Sequence, residues 1–233
     1  MYKLVIFDLD GTLVNSLADL GNACNEALAK FGFPTYDIEK YRYFVGDGVP
    51  MLIKRAVPAD KGTDEVLAKV KAEFDVIYRR TYNRLTRPYD GIVKLVADLK
   101  AKGILTAVAS NKPDEFTQVI VSDMFEAGTF SYVSGKKDGF EKKPDPGIAL
   151  HIMEKLGVSP VDTLFAGDSS VDMKTATNAG CDSIGCLWGF RTREELERFF
   201  DGAGEFLGEF KKNVQLSTCI CSISQRALTK TEL

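Results

Sequence analysis

Little in this chain supports a metal–sulfur centre, a disulfide-stapled fold or a membrane anchor. Its five cysteines, Cys24, Cys181, Cys186, Cys219 and Cys221, show neither metal-type spacing nor a disulfide framework. Reduced thiols in a cytoplasmic protein are therefore expected, and a metal at Cys219 and Cys221 is not. No apolar run reaches the length of a membrane span, and the N-terminus has a strand where a signal peptide needs a basic start and a longer apolar core. A net charge of −3 gives no electrostatic case for nucleic acid or anionic lipid as a partner. The single histidine, His151, falls in a helical stretch and is expected at the surface or its boundary. There is no internal repeat and no low-complexity segment. What remains is an ordinary globular composition, 45% hydrophobic and 27% charged over 233 residues, enough for a sizeable core in one or two domains.

The stretch that organises the chain is Lys3-Leu4-Val5-Ile6-Phe7-Asp8-Leu9-Asp10-Gly11-Thr12-Leu13. Residues 4–7 form a short apolar run of the kind buried on both faces in a parallel sheet. It leads into two carboxylates one residue apart, and in an extended strand end residues i and i+2 point the same way. Two anions so close repel unless a cation or a shared proton relieves them, and a hard divalent ion such as Mg²⁺ suits that need where phosphate is also held. Gly11 allows a sharp turn whose N–H groups can cradle an anion.

After this strand the pattern changes. Residues 17–31 read as an amphipathic helix with Ser16 as its N-cap, followed by helical stretches at 38–44, 49–56 and 64–83, the last capped by Thr63. Nothing between residues 15 and 85 resembles a buried strand. From residue 86 onward strands and helices alternate, with strands expected at 105–109, 132–134, 163–166 and 183–187. That alternation predicts an α/β protein with a doubly wound parallel sheet. Residues 1–14 and 86–233 would form this core, and residues 15–85 a helical insertion with hinges at 14–16 and 85–89.

Polar residues collect where strands end: Asp8 and Asp10, Ser110 and Asn111, Lys143 on a loop, and Asp168 with Asp172. Carboxyl ends of parallel strands share one edge, so these groups should converge. A turn, a solvated lysine or a helix cap would explain each alone. Their coincidence at several strand ends is harder to explain that way.

These residues resemble the motifs of the haloacid dehalogenase-like superfamily, mainly Mg²⁺-dependent phosphatases and phosphotransferases. Asp8-Leu9-Asp10-Gly11-Thr12-Leu13 is similar to its first motif, Ser110-Asn111 to its second, Lys143-Pro144 to its third, and residues 167–172 to its fourth. The helical insertion after strand one is similar to the superfamily's mobile cap. Residues 10–16, the segment Val45-Gly46-Asp47-Gly48-Val49-Pro50 and Tyr89-Asp90-Gly91 look most like the phosphoglycolate phosphatase group, although Asn15 stands where that group usually has Asp.

The resemblance implies a Mg²⁺-dependent phosphatase with Asp8 as nucleophile and Asp10 as general acid and base. It implies a metal held by Asp8, Asp168 and the backbone carbonyl of Asp10, with Asp172 orienting Lys143 or a metal-bound water. Thr12, Ser110, Asn111 and Lys143 would bind the phosphoryl group. Gly46 and Gly48, at a helix start in the cap, would favour a second anion, as 2-phosphoglycolate carries. The implied partner is a small phosphorylated substrate, and the assembly a monomer or homodimer. A phosphomutase would use the same residues, and a phospho-accepting switch without turnover is a reading from another class. A dehalogenase is disfavoured by the carboxylate at Asp10. Residues 201–233 depart from the family pattern, and the run 214–224 is expected as an extra edge strand or a tail.

Overall fold

The computed structural model describes residues 2–198 and 219–222. Strand β1 (Leu4–Phe7) lies in the middle of a six-stranded sheet of order β5-β4-β1-β6-β7-β8. The others are β4 (Leu105–Pro113), β5 (Tyr132–Lys136), β6 (Thr163–Gly167), β7 (Asp182–Cys186) and β8 (Cys219–Ser222). The first five are parallel. β8 runs antiparallel beside β7 at the edge, so this part of the 214–224 run is the extra edge strand. The rest of residues 199–233 lies outside the described residues.

β1 alternates between two cores, as a strand covered on both faces must. Val5 and Phe7 pack with Ile92, Leu95, Val96 and Leu99 of α4 (Ile92–Ala101) and with Ile120 of α5 (Asp114–Met124). Leu4 and Ile6 pack with Ile148, Ala149 and Ile152 of α6 (Gly147–Leu156) and with Ala176 of α7 (Ser170–Ala179). All four β1 side chains are buried, and each contributes about 1.5–3 kcal/mol. The chain builds β4 and β5 on one side of β1 and then crosses to build β6 and β7 on the other. The switch point therefore falls between β1 and β6, where an open α/β sheet leaves its ligand crevice.

The helical insertion leaves and returns through a two-residue antiparallel ribbon, β2 (Val14–Asn15) against β3 (Arg87–Pro88). It comprises α1 (Leu17–Lys30), a 3₁₀ turn (Ile38–Tyr43), α2 (Val49–Ala56) and α3 (Asp64–Arg79). Thr63 caps α3 as expected, its hydroxyl accepting from Val66 N. These helices bury a core of their own, including Leu20, Leu28, Ile53, Phe74 and Tyr78, which Phe116 of α5 and Phe190 close from the sheet side. The two crossings are lashed together by Asp19, a buried carboxylate on α1. It accepts from Leu85 N, from Thr86 N and from the Thr86 hydroxyl, all near 3 Å.

Ser16 stands at the N-cap position of α1, its carbonyl accepting from Leu20 N, but its side chain makes no capping hydrogen bond. Its backbone lies outside the extended region usual for a capping residue, and its hydroxyl donates to Asp10 Oδ1 at 2.5 Å. Among the described residues no helix is long and apolar enough to cross a membrane.

Candidate active site

Asp8 is the first residue past β1, held there by its own N–H on the Ala166 carbonyl of β6. Its Oδ1 accepts from Leu9 N at 2.7 Å and pairs with the Lys143 ammonium at 2.9 Å. Lys143 reaches β1 from the loop after β5, its side chain only 2% exposed, and also donates to Asp172 Oδ1 at 2.7 Å. Asp172 sits in the first turn of α7, where its Oδ2 accepts from the Ser169 N–H and hydroxyl in a capping box. Ser169, not Asp168, is thus the cap of that helix. Asp168 follows β6, and its Oδ2 accepts from Phe190 N at 2.7 Å. Gly11 has φ +86°, and a Cβ there would strike the Asp168 carboxylate, so this turn requires glycine.

Asp8, Asp168 and Asp172 each present a carboxylate oxygen within 4.8 Å of the others, all buried. Burial pushes the Asp8 carboxyl up to about 7; Lys143 pulls it back, while Asp172 and Asp10 push it further. Burial likewise raises Asp168 well above the usual carboxylate range, with Asp172 and Asp8 adding to the shift. Burial works against the Lys143 ammonium, yet Asp172 and Asp8 outweigh it and hold it charged above the ordinary lysine range. One lysine against three packed carboxylates leaves an excess of negative charge. A hard divalent cation with oxygen ligands fits that donor set. Asp172 is tied to Lys143 and to both donors of Ser169, whereas Asp168 accepts one strong bond, from Phe190 N, and a long one from Thr12, so Asp8 and Asp168 are the less committed carboxylates.

The remaining residues expected from the sequence arrive at the same rim, several in a supporting capacity. Ser110 and Asn111 lie in the irregular end of β4, where the register against β5 shifts. Asn111 is fully engaged: Oδ1 accepts from Lys143 N at 2.7 Å, and Nδ2 donates to the carbonyls of Lys143 and Gly46. It positions the lysine loop and ties the insertion to the sheet. Ser110 is buried beside it, its Oγ accepting from Lys112 N at 3.2 Å. Thr12 directs its hydroxyl to Asp168 Oδ1 at 3.5 Å. Gly46 and Gly48 line a cavity together with Asp8, Asp10, Ser110 and Asn111. Gly48 starts α2 with φ +84°, a conformation glycine adopts without strain.

Two participants were not found from the sequence. Lys112 is buried, and its ammonium meets both Asp10 oxygens at 3.1 and 2.9 Å. Burial disfavours that charge, but Asp10 and Tyr78 outweigh the penalty and raise the ammonium above its usual range. Its place two residues after Ser110 in an extended segment was the available signal. Arg191, in the loop after β7, donates to the carbonyls of Arg42 and Val45 in the insertion, the latter at 2.7 Å. No local motif marks it.

A family model described as haloacid dehalogenase-like hydrolase matches residues 5–186. The chain is 36% identical over 200 residues to the phosphoglycolate phosphatase of Vibrio vulnificus, spanning 83% of this chain and 87% of that one. It is 34% identical over 191 residues to phosphoglycolate phosphatase 1 of Pseudomonas aeruginosa, covering 81% and 70%. In structure it is similar to a predicted phosphoglycolate phosphatase from Haemophilus somnus, with TM-score 0.79, 32% identity, and 85% and 91% of the two chains covered. A strand-end acid cluster at the switch point of this sheet and a helical insertion after its first strand are thus accounted for together: the chain belongs to the haloacid dehalogenase-like hydrolase family.

Proposed function

We propose that this hydrolase is a Mg²⁺-dependent phosphatase of a small phosphorylated metabolite, 2-phosphoglycolate, working through an aspartyl-phosphate on Asp8. The observation that carries the reading is the junction of β1, the lysine loop and β6. There a buried lysine 2.9 Å from Asp8 and a second carboxylate, Asp168, meet at one crevice. Phosphatase relatives at 34–36% identity support the reaction class.

Asp8 attacks phosphorus in line, and the bond from phosphorus to the ester oxygen breaks as the new one forms. Asp10, two residues further along the chain, gives the leaving alkoxide a proton and then takes one from the water that hydrolyses the acyl phosphate. Ser16, Oγ donating to Asp10 Oδ1, orients that carboxyl from the start of the insertion. Lys143 holds a phosphoryl oxygen, and Asp172 keeps its ammonium in place. Asp8, Asp168 and the Asp10 carbonyl would hold Mg²⁺, which when bound offsets charge on the phosphoryl oxygens. Residues 15–85 act as a cap over the crevice, hinged at the β2–β3 ribbon, and exclude water from the first step. Gly46 and Gly48 face the cavity from that cap and favour the substrate's second anion.

The test is phosphate release from a panel of phosphorylated metabolites with Mg²⁺, ranked by kcat/KM, with Asp8→Asn as control. The expected outcome places 2-phosphoglycolate among the best, with free phosphate rather than an isomer as product and no turnover by the variant. Poor turnover of 2-phosphoglycolate with good turnover of another ester would displace the substrate and keep the reaction; undiminished rates in Asp8→Asn would displace the reaction.

A further inference from the structure

We propose that Lys112 selects the substrate, its ammonium leaving Asp10 to bind a carboxylate whose carbon lies two atoms beyond the ester oxygen. The proposal rests on the phosphatase reading and adds to it the residue that sets its specificity.

Lys112 and Lys143 are the two buried lysines at this rim, and they are committed differently. Lys143 is spanned by two carboxylates, Asp8 and Asp172, and its third donor is the one the phosphoryl group takes. Lys112 has a single carboxylate partner, Asp10, and lines the cavity into which a substrate must fit. An ammonium is a point charge on a flexible stem with rotatable donors, suited to exchanging one carboxylate for another. After the exchange Asp10 retains the Ser16 hydroxyl on Oδ1.

Lys112 would complete, from the sheet side, the second-anion site that Gly46 and Gly48 favour from the cap. Leu20, Val45, Val49 and Leu52 present apolar walls from the cap. Besides Lys112, the start of α2 at Gly48 and the Arg191 guanidinium beside Gly46, itself tied to the Val45 carbonyl, supply positive potential there. The surroundings of Lys112 also hold an unmet donor. The Tyr78 hydroxyl on α3 is buried and has no hydrogen-bond partner among the described residues, and its ring lies 4.8 Å from the Lys112 ammonium. A carboxylate at Lys112 would give that hydroxyl an acceptor. The ammonium and the hydroxyl come from sheet and cap respectively, so a bridging anion also draws the two parts together.

A buried site built to pair a charged group rejects analogues lacking that group far more strongly than an apolar pocket rejects a size change. The experiment compares 2-phosphoglycolate with ethyl phosphate, which has the same length and no carboxylate, in wild type, Lys112→Met and Lys112→Arg. Wild type is expected to favour 2-phosphoglycolate in kcat/KM by on the order of 10²-fold or more. Lys112→Met should lose about 10²-fold of that preference, mainly through KM for 2-phosphoglycolate, and Lys112→Arg should recover part of it. A second measurement needs no variant: 3-phosphonopropionate should inhibit wild type more strongly than propylphosphonate.

An unchanged preference in Lys112→Met, with both esters slowed alike, would overturn the proposal and leave Lys112 as a residue that only orients Asp10. Equal inhibition by the two phosphonates would overturn it too. Wild type that hydrolyses ethyl phosphate without preferring the carboxylated ester refutes the selection but keeps the phosphatase. Wild type that hydrolyses neither ester nor any other monoester refutes both.

Discussion

Replacing Asp8 by Asn should stabilise the metal-free protein at neutral pH while abolishing turnover, and the size of the effect follows from burial. An unfolded aspartate ionises near 3.8, whereas burial raises Asp8 to about 7 in the folded protein. Between those values the folded protein keeps a proton that the unfolded chain has shed. Stability from this group is therefore complete below about pH 4 and is lost as pH rises through 7. At about 1.4 kcal/mol per pH unit, the ionised Asp8 costs the fold roughly 4 kcal/mol above neutrality. Asn has nearly the same shape and can still accept from Leu9 N, but it leaves Lys143 with Asp172 as its sole carboxylate partner. The folded value near 7 already contains the Lys143 attraction, so the net gain stays at roughly 4 kcal/mol, or about 8–16 °C in Tm for a chain of this size. The assay is thermal unfolding of both proteins in a chelator at pH 4.5 and pH 8. Asp8→Asn should exceed wild type at pH 8 by the full difference and approach it at pH 4.5. A difference that is the same at both pH values, or a less stable variant at pH 8, would refute the claim that burying the ionised Asp8 carboxylate costs the fold stability.

The same charge excess predicts that saturating Mg²⁺ raises the Tm of wild type at pH 8 and barely moves Asp168→Asn, since a bound cation stabilises only the state that holds it; an equal rise in both proteins would exclude Asp168 as a ligand. Lys143→Met, which leaves Asp8 and Asp172 facing each other without their cation, should lower kcat by about 10²–10³-fold, and a rate within twofold of wild type would exclude its role at the phosphoryl group. Asp19→Ala strands the buried N–H groups of Leu85 and Thr86 and should cost about 2–4 kcal/mol in urea unfolding, whereas a loss below about 0.5 kcal/mol would mean the hinge is held elsewhere. Arg191→Gln removes the bridge from the sheet loop to the Val45 and Arg42 carbonyls and should raise KM about tenfold with little change in Tm; an unaltered KM would show that cap closure does not depend on it.

What could be read from the sequence divides along the range of the interactions involved. β1 was legible because four consecutive apolar residues ending in Asp8 need only local reasoning, and the parallel order followed from strand–helix alternation. The convergence of Lys143 and Asp168 on Asp8 was legible because parallel strands share a carboxyl edge, which turns topology into proximity. Ser16 takes the expected N-cap position, but the partner of its hydroxyl was out of reach: a cap is inferred from neighbours in sequence, and the hydroxyl answers to Asp10, six residues back across the turn. Lys112 stood in plain view beside Ser110 and Asn111, but one more lysine at a strand end carries no signal until burial strips it of water and leaves Asp10 as its partner. Asp19 and Arg191 were further out of reach. Each satisfies backbone groups of a segment far away in the chain, and a carbonyl or an amide has no letter of its own. Chemistry at the strand ends is thus written in residue types, whereas the contacts that hold the cap against the sheet are written in backbone positions that only the fold brings together.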